Sequence, residues 1–184
     1  MDALKNHLRD TYHLSNYQVA QLSFLFKSLF SEFSKLVIMG LLFHRHLPEY
    51  FFALCIMISL RTTTGGLHFY TYRNCLLMSF VYIFISIFFF PQLQFNAFFK
   101  IIVLLLCSVI CFAVGPTPSK YRPQPTKKKA MFFRLFSVIF IVLYICSIHL
   151  SESPFWNIGF GVITLHSLQL IAAKTIKKGG HSND

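Results

Sequence analysis

The segment from Arg61 to Cys75 is the part of the sequence whose residue types could do chemistry. It is polar, contains the pair Gly65-Gly66, and carries one histidine, His68, between two strongly apolar segments. A thiol and an imidazole are the smallest set of groups that makes a cysteine nucleophile and its general base. Irregular backbone at a membrane boundary is costly unless it is covered or used, because lipid offers no hydrogen-bond partners. We therefore interpret this segment as a candidate active site.

The spacing of His68 and Cys75 sets a condition on the local fold. On a continuous helix, seven residues span ~10.5 Å, which is too far for a hydrogen bond between the two side chains. The chain must turn between them, and Gly65 and Gly66 provide permissive backbone just before the histidine. At the start of the next apolar segment, helix-terminal amides and Arg73 would favour the thiolate of Cys75. An interfacial histidine beside a packing cysteine is the alternative interpretation.

Composition places these residues in a membrane protein. Of 184 residues, 55% are hydrophobic, 12% are charged and 23 are Phe, with a mean hydropathy of +0.58. Soluble domains carry about 25% charged residues. We predict an all-α, polytopic integral membrane protein with six transmembrane helices in one membrane domain over residues 1–184. The apolar segments are roughly 28–43, 49–64, 75–90, 97–115, 131–150 and 154–173, of which 49–64 has the weakest span signal.

The basic residues fall unevenly between the predicted spans. Of the 17 Lys and Arg residues, all but Arg45 and Lys100 lie on one side of the six-span arrangement. By the positive-inside rule, this predicts that both termini and the 61–75 loop are cytoplasmic. Basic cytoplasmic loops explain the net charge of +11, and the run over 120–134 could also attract an acidic peptide or anionic lipid. We expect no nucleic-acid partner, since nothing predicts a soluble groove-binding element.

Three further segments complete the predicted organisation. Residues 1–27 have loosely helical spacing of apolar and basic residues, which predicts an interfacial N-terminal segment. Residues 116–130 hold four prolines ahead of Lys127–Lys129, which predicts an extended, basic, cytoplasmic loop. Residues 179–184 are predicted to be a disordered tail. The other four cysteines lie in apolar segments, and no Cys or His cluster has metal-ligand spacing, so we predict no metal and no cofactor.

The candidate site resembles the accessory gene regulator B (AgrB) family, membrane endopeptidases that process quorum-sensing pheromone precursors. The shared features are an arginine seven residues before a histidine, a glycine pair just ahead of that histidine, and a cysteine seven residues after it. In this sequence they are Arg61, Gly65-Gly66, His68 and Cys75. The lysine-rich, proline-containing segment before the fifth span, the length and the six-span layout resemble the family as well.

The resemblance implies a cysteine endopeptidase in the bacterial cytoplasmic membrane. Cys75 would be the nucleophile and His68 its general base. The acyl-enzyme thioester would release an acidic C-terminal fragment, and a Cys or Ser side chain of the peptide would then close a thiolactone or lactone ring. Arg61, Gly65 and Gly66 would bind substrate or shape the loop.

The resemblance also implies the partners of the protein. The substrate would be a small amphipathic precursor peptide, encoded as a separate chain, with an acidic tail. We expect Lys127, Lys128 and Lys129 to attract that tail, and we expect a homodimer in the lipid bilayer.

Two alternative functions would account for fewer of the residues above. A small membrane peptide exporter or pore would explain six helices and a basic mouth, and an inactive membrane interaction subunit would explain the phenylalanine content.

Overall fold

The computed structural model of the chain describes residues 30–66, 71–117, 126–150 and 153–179. These residues form helices α1 (residues 30–42), α2 (Leu47–Thr64), α3 (Tyr72–Phe84), α4 (Ala97–Val114), α5 (Lys127–Leu150) and α6 (Phe155–Gly179). Within these ranges there is no strand, so the all-α prediction is confirmed. The predicted interfacial segment over 1–27 and residues 180–184 of the predicted tail lie outside the described residues.

The chain divides into two compact units at the boundary between His44 and Arg45. In the first unit, α1 carries an ion pair one turn apart, in which Lys35 Nζ lies 2.8 Å from Glu32 Oε1. The second unit contains α2 to α6 and every residue of the candidate site that the structure describes. The single-domain arrangement over the whole chain stays a prediction.

Four helices of the second unit are long and apolar enough to cross a membrane. They cover Tyr72–Gln92, Ala97–Val114, Lys127–Ile148 and Phe155–Ile176. Their side chains are apolar nearly all round, as expected for helices that contact lipid. The protein is therefore an integral membrane protein. The predicted count of six spans and the cytoplasmic orientation of the termini stay predictions.

Helix α6 is the centre of the second unit. Half of the residues in its apolar span are buried inside the protein, against 17–28% in the other three spans. It packs against α2 and α4, and α5 packs against the same two helices. Ala53, Leu60, Leu104, Ile141 and Ile163 are among the core side chains, with almost no exposed surface. The core thus lies between α2, α4, α5 and α6.

Two glycines of α6 let neighbouring aromatic side chains approach its backbone. A Cβ atom at Gly159 would lie 2.6 Å from Cζ of Tyr144, and one at Gly161 would lie 2.6 Å from the Phe90 ring. Tyr144 is held in place because its hydroxyl donates to the carbonyl of Trp156, at 2.7 Å. Small residues allow this close packing between membrane helices, where no hydrophobic effect drives association.

The third predicted span is not a uniform α-helix. After α3 the chain widens into a π-helical stretch over Ile85–Phe89 and then tightens into a 3-10 turn over Phe90–Gln92. Pro91 provides the reason, because it has no N–H to continue the α-helical hydrogen bonds. The π-helical stretch packs against α6, so the irregular backbone is covered by protein as membrane burial requires.

The fifth apolar segment begins as a helix earlier than predicted. Lys127–Lys129 were expected in the extended Pro-rich loop over 116–130, but they form the first turn of α5. The prolines end at Pro125, and Thr126 then caps the helix: its hydroxyl accepts from the amide of Lys129 at 3.5 Å. A threonine at this position satisfies amides that the first turn leaves unpaired. The prediction was therefore wrong for the three lysines.

We expect Gly159→Ala to destabilise the second unit. Because the new methyl group would overlap the Tyr144 side chain, the cost should resemble that of overpacking a core, about 1–3 kcal/mol. Thermal unfolding in detergent should show a lower midpoint. Leu168→Ala is the matched control on the same helix, since Leu168 is 57% exposed, and its midpoint should change less. Equal midpoints for Gly159→Ala and the wild type would contradict the proposed packing.

Candidate active site

Two of the predicted site residues, Arg61 and Cys75, line one cavity. The cavity has a volume of about 240 Å³, including space open to solvent. Its other lining residues come from α2, α3 and α6: Met57, Met78, Ser79, Tyr82 and Gln169. The cavity therefore combines a thiol, a guanidinium and a carboxamide on a partly apolar floor.

Helix ends position the two predicted residues. Arg61 lies in the last turn of α2 and Cys75 in the first turn of α3. The predicted loop over 61–75 is therefore shorter than expected, because Arg61–Thr64 are helical and α3 already begins at Tyr72. Threonines can remain helical at the end of α2, since their hydroxyls bond to carbonyls three or four residues back, as Thr63 does to Leu60 at 3.0 Å.

The thiol of Cys75 is half-buried in the first turn of α3. Its amide donates to the carbonyl of Thr71 at 3.2 Å, so this amide is already used by the helix. The amides of the three preceding helical residues are those that a first turn leaves without helical acceptors. Their dipoles favour negative charge at this end of the helix.

Gly65 makes the turn that ends α2. Its φ is +79°, and its amide donates to the carbonyl of Arg61 at 3.1 Å. A Cβ atom here would lie 2.5 Å from the carbonyl oxygen of Thr117. Gly65 and Thr117 form an isolated parallel β-bridge, in which the amide of Thr117 donates to the carbonyl of Thr64 at 2.9 Å. Glycine is required at this position by both conformation and space.

Thr64 ties this turn to α6. Its hydroxyl lies 2.7 Å from the carbonyl of Leu60 and 2.7 Å from Nε2 of His166, and both side chains are buried. Since the hydroxyl has one hydrogen, donation to Leu60 leaves it to accept from an Nε2–H of His166. Nδ1 of His166 has no hydrogen-bond partner within the described part of the chain.

Arg134 extends the same junction to α5. Its Nε donates to the carbonyl of Gly115 at 2.7 Å, and its guanidinium lies 6.0 Å from the centre of the Phe112 ring. Gly115 follows α4 and precedes Thr117, so Arg134 holds the strand-like residues that pair with Gly65. As a member of the basic run over 120–134, this arginine is predicted only to add cytoplasmic charge. Its hydrogen bond to Gly115 also gives it a structural role, because it joins α5 to the residues after α4.

The remaining predicted residues are placed differently. Gly66 is buried with φ +153°, and a Cβ atom there would lie 3.7 Å from Cδ of Gln169. Lys127, Lys128 and Lys129 are exposed at the start of α5 and do not line the cavity. His68 lies outside the described residues, so its distance from Cys75 stays a prediction.

Sequence reasoning missed Gln169, His166 and Thr64. A signal was present, because His166 and Gln169 are polar residues three apart in an apolar segment, and polar side chains within a membrane span usually have a function. The period of three places them on one face of α6. Only the fold shows that this face meets the end of α2.

Comparisons with known proteins agree with the resemblance found in the sequence. The family model described as accessory gene regulator B matches residues 2–171. An AgrB-like protein from Clostridium beijerinckii is 32% identical over 167 residues, which cover 88% of this chain and 81% of the relative. No solved structure matches significantly.

We expect Gly65→Ala to disrupt the turn that ends α2. Alanine would be strained at φ +79° and would collide with the carbonyl of Thr117, and strained backbone alone costs about 1–3 kcal/mol. The thermal midpoint in detergent should fall. Thr62→Ala is the control, because Thr62 is exposed in the same turn of α2. If both variants unfold at the wild-type temperature, the bridge to Thr117 is not a stabilising contact.

Proposed function

The chain belongs to the accessory gene regulator B family, and we propose that it is a membrane cysteine endopeptidase that cleaves and cyclises a small pheromone precursor. Family membership supports a role in the accessory gene regulator quorum-sensing system. The observation that carries the finer proposal is the cavity shared by Arg61 and Cys75 at the ends of two helices. The predicted nucleophile thus faces a space that a peptide could enter.

In the proposed reaction, Cys75 is the nucleophile and His68 the general base. His68 removes the thiol proton, and the thiolate attacks the scissile carbonyl carbon to form a C–S bond. The tetrahedral intermediate then breaks the C–N bond, and the protonated base returns the proton to the leaving amine. The products are an acyl-enzyme thioester and the acidic C-terminal fragment. This division into two steps is the general advantage of covalent catalysis.

The second step closes the ring. A Cys or Ser side chain of the bound peptide attacks the thioester carbonyl, and the thiolate of Cys75 leaves and takes up a proton. Cyclisation competes with hydrolysis, so the site must hold the peptide side chain close and limit the access of water. The Cys75 thiol is half-buried, so the protein already limits the access of water to the thioester that would form there.

The lining of the cavity supports binding of a peptide. Met57 and Met78 supply adaptable apolar surface. The Arg61 guanidinium would bind peptide carbonyls or a carboxylate of the precursor.

The lysines at the start of α5 are proposed to recruit the acidic tail of the precursor. Three cations at a helix N-terminus oppose the helix dipole, at a cost of about 0.3–1 kcal/mol each when exposed. Lys127–Lys129 are exposed in this position, so their presence favours a role outside helix stability. An acidic peptide would relieve their mutual repulsion.

We further propose a homodimer with both termini in the cytoplasm.

We expect Cys75→Ala to abolish cleavage of the precursor peptide when the two are co-expressed, because no other thiol lines the cavity described here. Cleavage would be read from the size of the peptide on a gel, with membrane levels of the protein measured in parallel. Cys55→Ala and Cys146→Ala are matched controls, since both thiols are exposed away from the cavity, and they should cleave normally. Full processing by Cys75→Ala would overturn the catalytic assignment.

We expect a triple Lys→Gln variant at 127–129 to weaken processing several-fold. Each exposed charge contact should be worth roughly 0.2–1 kcal/mol and should weaken with salt. The loss should therefore appear as a higher precursor concentration for half-maximal cleavage at low salt. Lys174→Gln, an exposed charge on α6, is the control. Membrane orientation must be checked in the same variant. Unchanged concentration dependence in a correctly inserted protein would leave the lysines with a topological role only.

A further inference from the structure

Gln169 is the polar residue of the cavity that the proposed function has not used. Its half-buried side chain comes from α6 and reaches the space shared by Arg61 and Cys75. The carboxamide also lies beside Gly66, within ordinary contact distance of where a Cβ atom would be. It therefore sits between the turn that ends α2 and the thiol that begins α3.

We propose that Gln169 donates a side-chain N–H to the oxyanion that forms when Cys75 attacks the scissile carbonyl. This assignment rests on the proposed function and adds a catalytic residue to it. When the C–S bond forms, the carbonyl π electrons move onto oxygen, and a hydrogen-bond donor there stabilises the intermediate. When the C–N bond breaks, the same electrons restore the C=O bond. Carboxamide side chains serve this purpose because they donate without changing protonation state.

The amide of Cys75 is committed to its own helix, which favours a side-chain donor for the oxyanion. The natural backbone donor would be the amide of the nucleophile itself, but the Cys75 amide already donates to Thr71. An amide that bonds within its helix cannot turn toward an oxyanion without breaking that bond. The amide of Cys75 is therefore a poor candidate for the oxyanion donor.

The surroundings of Gln169 suit a donor held ready for use. His166 and Ser167 on one side and Leu170 on the other are fully buried, so the backbone that carries the carboxamide is fixed by packing. The carboxamide itself lines the cavity, where a bound peptide would meet it. The bond between His166 and Thr64 joins α6 to the end of α2 one turn away. Preorganised donors of this kind pay no reorganisation energy during reaction.

Two hydroxyl groups, those of Tyr82 and Ser79, also line the cavity and have to be compared with Gln169 as oxyanion donors. The Tyr82 hydroxyl donates to the carbonyl of Val162 and is thereby committed to α6. Ser79 lies one helical turn after Cys75 and is buried. It is the rival donor, and a variant can test it directly.

The test measures steady-state cleavage of the precursor by purified protein in vesicles of anionic lipid. Gln169→Ala should lower kcat by about 10²–10³-fold and leave KM within a few-fold of the wild-type value. Gln169→Glu, which keeps the shape but replaces the amide donor by a carboxylate, should lose activity similarly. It also keeps the test open if the alanine variant folds poorly. Thr175→Ala, an exposed residue of α6, is the control and should match the wild type.

Two further readouts separate oxyanion stabilisation from a structural effect. Iodoacetamide alkylates the thiol without forming an oxyanion, so its rate with Cys75 should be unchanged in Gln169→Ala. A peptide aldehyde forms a tetrahedral adduct, so its affinity should fall in parallel with kcat. Wild-type kcat in Gln169→Ala, an equal loss of alkylation rate, or a loss confined to Ser79→Ala would each overturn the assignment. A wild-type protein that does not cleave the precursor contradicts the proposed function and, with it, the role of Gln169.

Discussion

The buried junction at Thr64 is the constraint on which the candidate site depends. Its hydroxyl contacts Leu60 and His166, and its carbonyl accepts from Thr117. In an apolar interior an unsatisfied polar group costs several kcal/mol, because neither lipid nor water replaces the lost bond. The junction therefore joins the end of α2 to α6 and to the residues after α4. Moving any of these elements would leave buried polar groups unpaired.

The position of the cavity follows from that junction. Once Thr64 is tied to α6, the last turn of α2 presents Arg61 beside Gln169, and the turn at Gly65 leads the chain toward α3. Gly65 can occupy this place only because it has no side chain to meet Thr117. The turn at Gly65 is thus covered on one side by Thr117, as irregular backbone in a membrane protein must be.

Close packing around α6 fixes the positions of the helices that carry the candidate site. Gly159 and Gly161 allow the side chains of Tyr144 and Phe90 to approach the helix backbone, and the end of the third span packs against α6. A site built on such packed helices positions its groups more accurately than one built on loops. The thiol, guanidinium and carboxamide of the cavity all stand on helices of this unit. The end of α2, which carries Arg61, is held in addition by the hydrogen bonds of Thr64.

The sequence by itself determined the membrane class and most of the helical segments, and it predicted Arg61 and Cys75 as site residues, which the fold brings to one cavity. Long apolar runs must form helices in lipid, whatever their neighbours are, and the motif that resembles the family is local. The start of α5 was missed because a single Thr126 cap outweighs the nearby prolines. Gln169 could not be assigned, since it lies 94 residues after Cys75 and no local pattern specifies which helix faces which. Tertiary structure decided that contact, because the burial of Thr64 and His166 as a hydrogen-bonded pair selects one face of α6 for the site.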